Sequence, residues 1–138
     1  MTTAAQETQR ILLDHEFPST PATVSIVRHA TARVLTAWGL AEAQTNDCVL
    51  VVSELVTNAI EARSQSVLKL RLSEEVLGTL TVEVWDAVPE PPCLRSPEHD
   101  AEDGRGLLIV AALATHYGWR PTRRGKWVFA VLAISPLH

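Results

Sequence analysis

From residue 47 to residue 63 the chain reads DCVLVVSELVTNAIEAR, and its apolar positions recur at spacings of three and four. That period predicts an α-helix with Cys48, Val49, Val52, Leu55, Val56, Ala59 and Ile60 on one face. Glu54, Asn58 and Glu61 fall on the other face, with Asp47 and Thr57 near them. Glu54 and Asn58 are i, i+4 neighbours, so their side chains point the same way about one turn apart. Leu50 and Val51 flank this strip, and that apolar surround predicts a partly closed pocket over Glu54.

Elsewhere the period changes. Residues 11–17 alternate weakly and predict an edge strand. Ser19, Thr20 and Pro21 read as a helix start, a hydroxyl cap followed by proline in the first turn. The helix continues through Val24, Val27, Ala30, Ala32, Val34, Leu35 and Trp38, and Gly39 stops it. After a short link, Thr45 or Asn46 is expected to cap the central helix, and Gln65 and Ser66 to break it. Residues 67–72 (VLKLRL) and 79–86 (TLTVEVWD) alternate around a turn at 74–78 and predict a hairpin, with Leu80, Val82, Val84 and Asp86 on one face.

Residues 87–103 hold four prolines and a run of acids, which predicts a long loop ending in Gly104-Arg105-Gly106. A strongly apolar helix is expected at 107–115, a strand at 117–121, a tight solvated turn at 123–126 and a buried strand at 127–134. Two strand pairs joined without helices predict a mixed, largely antiparallel sheet. Covered on one face by three helices, it gives an α/β fold, a two-layer α/β sandwich.

A chain of 138 residues is expected to form a single domain over 1–138, with residues 1–10 a disordered tail. With 46% hydrophobic and 20% charged residues it has the composition of a soluble globular protein. A net charge of −4, with no basic run beyond Arg123 and Arg124, argues against a nucleic-acid partner. Neither a bilayer-spanning apolar run nor a signal segment is seen, so no membrane association and a cytoplasmic location are expected. Cys48 and Cys93 lack neighbours at metal-ligand spacing, and the five histidines include no i, i+4 pair, which argues against zinc. Trp38, Trp85, Trp119 and Trp127 read as packing residues.

Three features can carry chemistry around a nucleotide. Glycines before a helix let backbone N–H groups approach an anion, the helix N-terminus adds positive potential, and Arg105 adds a cation for phosphate. A carboxylate at a strand end, Asp86, can accept from an adenine amino group. Asn58 offers an oxygen to Mg²⁺, which takes few protein ligands beside phosphate, and Glu54 can deprotonate an attacking hydroxyl. Alone, each is also an ordinary solvated helix face, strand end or loop-to-helix turn.

Together they resemble a family. Glu54-Leu55-Val56-Thr57-Asn58-Ala59 looks like the N box of the histidine kinase-like (GHKL) ATPases. Asp86 looks like the aspartate of their first glycine box, Gly104-Arg105-Gly106-Leu107 like the second, and Gly125-Lys126 also fits. The chain is most similar to bacterial anti-sigma-factor serine kinases and their short stand-alone relatives, over Phe17 to Leu132. The resemblance implies a Bergerat-type ATP-binding fold holding ATP and Mg²⁺, with residues 87–103 as the ATP lid. It implies Asp86 on adenine, Asn58 on Mg²⁺, and Gly104, Arg105, Gly106 and Leu107 at the phosphates, with Lys126 also among the nucleotide-binding residues. Glu54 would be the general base toward a serine of an anti-anti-sigma-type antagonist. Family members also sequester a sigma factor, often as homodimers.

The chain departs from the pattern at Val88, where glycine is common, at Trp127, where threonine is common, and at Ala62, where histidine is common. Valine adds bulk beside the adenine position, and the indole could crowd the base or face elsewhere. These two residues motivate an alternative expectation, a non-catalytic protein-binding module with weakened or lost ATP binding.

Overall fold

Alternating strands and one-sided helices assemble around a single sheet in the computed structural model, which describes residues 10–62, 66–92 and 104–135, and of 104–107 the backbone. The strands are β1 (Arg10–Pro18), β2 (Val67–Glu74), β3 (Thr79–Asp86), β4 (His116–Pro121) and β5 (Lys126–Ala133). The helices are α1 (Ala22–Trp38), α2 (Glu42–Glu61) and α3 (Gly104–Leu113). The sheet order is β1-β2-β3-β5-β4, and every neighbouring pair is antiparallel. This is the expected two-layer α/β sandwich, with the sheet antiparallel throughout.

Register explains the core. Leu70, Val84 and Val128 stand opposite one another across β2, β3 and β5, and Leu72, Val82 and Ala130 form the next row. Because strand side chains alternate, these rows face the same side and meet the helices. Leu68, Leu70, Leu72, Leu80, Val82 and Val84 are completely buried there, with Val51, Val52 and Val56 of α2. Each such side chain stabilises the fold by about 1.5–3 kcal/mol relative to exposure. The central helix α2 lies over β2, β3 and β5, α1 flanks it over β1, and α3 flanks it over β4.

The opposite sheet face has its own chemistry. Arg71 bridges Asp14 on β1 and Glu83 on β3, and Arg120 on β4 reaches Glu83 at 2.6 Å. Both guanidinium groups lie over the Trp127 ring, at 4.7 and 5.7 Å, and Lys69 lies over Trp85. Glu83 is thereby only 3% exposed.

Several boundaries differ from expectation. Gly39 does end α1, at φ 99°, where its N–H and that of Leu40 close on Thr36 and Leu35. No hydroxyl caps α1; Pro21 holds the cap position and Thr23 bonds back to the carbonyl of Pro18. Neither Thr45 nor Asn46 caps α2, which starts at Glu42 after Ala41. Thr45 is instead buried one turn inside, its hydroxyl donating to the carbonyl of Leu40. Buried Leu40 anchors the link, so the chain re-enters helix at once without a polar cap. At its other end α2 stops at Glu61 with Ala62 as cap; of the break expected at Gln65 and Ser66, Gln65 lies outside the described residues and Ser66 is already past the helix.

Candidate functional site

The alternation that buries Leu80, Val82 and Val84 carries Asp86, last in β3, to the helix-covered face. Its partner in register is Lys126, first in β5. Their side chains meet in a salt bridge of 2.9 Å, and each is only 1% exposed. Asp86 Oδ1 also accepts the Val88 N–H at 2.9 Å, and Lys126 Nζ donates to the Val88 carbonyl at 2.9 Å. Carboxylate, ammonium and backbone thus form a closed loop at the end of the sheet. Asp86 Oδ2 is buried and has no hydrogen-bond partner among the described residues. Leaving such an acceptor unmet costs about 1–3 kcal/mol or more, so the arrangement favours a ligand that brings a donor.

This overturns the reading of Lys126 as part of a solvated turn. The turn is 122–125, closed by Thr122 N–H on the Gly125 carbonyl at 2.9 Å, and Lys126 is the largest fully buried side chain among the described residues. Trp127, one position on, points to the opposite face between Arg71 and Arg120, so it does not crowd Asp86. Val88 contributes its backbone N–H and carbonyl to the loop.

Glu54 and Asn58 are half-buried on α2. Their surround differs from expectation: Val51 packs wholly into the core, whereas Leu50 is 37% exposed. Val49, expected in the core, is half-buried at the seam with α1. Burial pushes the Glu54 carboxyl above its ordinary value, the charge of Glu61 adds to this, and Arg28 of α1 opposes it. A carboxylate that holds its proton more tightly is a better base.

Gly104, Arg105 and Gly106 do not precede α3, as expected, but form its first turn together with Leu107. Their N–H groups are therefore those a helix start leaves without intrahelical partners. Helix α2 packs against both β3, which carries Asp86, and α3, which begins with this turn. Of the expected lid, residues 93–103 lie outside the described residues. Among the described residues no three His, Cys, Asp or Glu side chains cluster as metal ligands, and no helix is long and apolar enough to cross a membrane.

Two features escaped the sequence. One is an open groove between α1 and α2, lined by Pro21, Val24, Arg28, His29 and Val49 among others, which none of the expected site residues lines. The other is the burial of Lys126, which the local pattern assigned to the turn and which follows from its place opposite Asp86 in the β3–β5 register.

A family model described as histidine kinase-like ATPase domain matches residues 17–132. Among solved structures, the chain is similar to the SiaB-SiaC complex from Pseudomonas aeruginosa, with a TM-score of 0.68 and 17% identity, over 96% of this chain and 95% of that one. It is also similar to the RsbU and RsbW domains of Rv1364c from Mycobacterium tuberculosis, with a TM-score of 0.64 and 21% identity, over 90% of this chain. The match spans about a third of that longer chain, 32%. At these identities the likeness establishes the fold. No curated protein sequence shows significant similarity.

Proposed function

The chain belongs to the histidine kinase-like ATPase domain family, and from that premise we propose that it is an ATP-dependent regulator that phosphorylates a serine on a protein antagonist, sequesters a sigma factor, or does both. The observation that carries the nucleotide reading is the buried, unpartnered Oδ2 of Asp86. It fits the exocyclic amino group of adenine, a donor that would satisfy it. Asn58 would hold Mg²⁺ together with phosphate oxygens, consistent with the few protein ligands this ion takes. The first turn of α3, with Gly104, Arg105, Gly106 and Leu107, would meet the phosphates through backbone N–H groups. Bound Mg²⁺·ATP would supply a γ-phosphoryl group activated for transfer.

Glu54 then takes the proton of the attacking serine hydroxyl as its oxygen bonds to phosphorus and the bond to ADP breaks. Its raised proton affinity suits this role, because a base works best when its pKa approaches the working pH. The pairing of SiaB with SiaC in a solved complex, and the presence of an RsbW domain beside an RsbU domain in another, support a protein as the partner.

Calorimetry with Mg²⁺·ATP is the first test, and saturable binding is expected. Glu54→Ala should keep that binding and lose transfer of labelled phosphate to any protein in a cell extract. Transfer undiminished in this variant would remove Glu54 from the mechanism. The absence of binding at high ATP would favour the non-catalytic module. That alternative rested on Val88 and Trp127, and the position of Trp127 on the far sheet face lends it no support.

A further inference from the structure

We propose that Lys126 is a base-reading residue, which together with Asp86 makes the site select adenine over guanine; this rests on the nucleotide reading above. The argument is a count of donors and acceptors at one buried spot. Asp86 Oδ1 already accepts two N–H groups, from Lys126 and from Val88. A carboxylate oxygen offers two acceptor directions, so Oδ1 is filled and Oδ2 alone remains. Guanine approaches a carboxylate with two parallel donors, its N1–H and its 2-amino group, and a fork of that kind asks for both oxygens. Adenine asks for one, through its 6-amino group.

Lys126 supplies the complement. An ammonium carries three N–H donors, and here two are spent, on Asp86 Oδ1 and on the Val88 carbonyl. The third belongs to a nitrogen that is already bonded to the same Asp86 carboxylate, on a side chain only 1% exposed. One donor next to one acceptor matches the N1 acceptor and 6-amino donor that adenine presents side by side. Guanine presents the reverse, an acceptor at position 6 and a donor at N1. Gly125 allows the close approach of β5 to this pair, since a Cβ there would collide with the Asp86 carbonyl oxygen.

The test is a set of calorimetric titrations of the intact protein and of Lys126→Met with Mg²⁺ and ATP, GTP or 1-deaza-ATP, which lacks the N1 acceptor. The native protein should bind 1-deaza-ATP about 10-fold or more weakly than ATP, the range expected when a charged donor loses its acceptor, and GTP more weakly still. In Lys126→Met the gap between ATP and 1-deaza-ATP should close and that between ATP and GTP should narrow, a ratio that a general loss of stability would not move. If Lys126→Met does not fold, the native titrations still decide. Equal affinity of the native protein for ATP and 1-deaza-ATP would overturn the role of Lys126 while leaving the nucleotide reading standing. No binding of ATP at all would overturn both.

Discussion

Gly125 lies so close to Asp86 that a Cβ added to it would come within 2.0 Å of the Asp86 carbonyl oxygen and 2.8 Å of the Trp85 ring. The glycine is needed for this approach and not for a left-handed backbone, since the positive-φ glycines among the described residues are Gly39 and Gly78. Gly125→Ala must push β5 away from β3 at the point where Lys126 meets Asp86. It should destabilise the protein by about 1–3 kcal/mol or more, as overpacking does, and weaken ATP binding beyond what partial unfolding explains. Chemical denaturation and calorimetry on the same variant check both; a variant of native stability would show that the strands part easily here.

The position of Glu54 predicts a pH signature. Its folded-state pKa is raised above the ordinary carboxylate value, first by burial and then by Glu61. The folded state therefore binds the proton more tightly than the unfolded state, and this group's contribution to stability falls as pH rises from that ordinary value, about 4.3, through its folded value. Glu54→Gln should consequently melt higher than the native protein at pH 7, and the difference should vanish below about pH 4. Arg28→Ala should raise the Glu54 pKa further. Melting curves of the three proteins across pH read out the sign.

Cys48 should be chemically silent in the folded protein. Burial, with a smaller push from Asp47, raises its thiol pKa to about 12. Little thiolate then exists at pH 8, and the thiolate is the species that reacts. Iodoacetamide at that pH should leave the Cys48 peptide unmodified until denaturant is added, as followed by mass spectrometry. Rapid alkylation of the native protein would mean that the α2 core face opens readily.

On the sheet face away from the helices, Glu83 and Asp14 share Arg71 and should behave differently. Glu83 is buried and takes a 2.6 Å bond from Arg120, whereas the Asp14 side chain is 46% exposed and 3.5 Å from Arg71. Glu83→Gln should cost about 1–3 kcal/mol, the range for a buried charged hydrogen bond. Asp14→Asn should cost under about 1 kcal/mol, as exposed pairs do. Urea denaturation at two salt concentrations distinguishes them, since only the Asp14 contribution should be screened.

Most of the architecture was legible because it follows from local periodicity. TLTVEVWD alternates with period two, and β3 begins and ends where that run does. Gly39 announces the end of α1, where a left-handed residue is needed. The spacing of Glu54 and Asn58 put them on one strip of α2, away from the deepest core. Local rules failed where the deciding contact was remote. The start of α2 has no polar cap to betray it, because buried Leu40 sets it. Leu50 and Val51 look alike in sequence, yet only Val51 faces the core.

Lys126 shows the division most clearly. Next to Arg123, Arg124 and Gly125 it has the surroundings of a surface turn, and sequence places a lysine there in water. Its fate depends on Asp86, forty positions earlier in the chain, and on the β3–β5 register that sets the two side by side. The chain's own order of residues was enough for the strands, the helices and the family, since those need only short-range pattern and motif. That Asp86 and Lys126 are buried side by side, with Oδ2 left without a partner among the described residues, is a matter of strand pairing across a sheet, because a charge can be buried only where another part of the chain arrives to balance it.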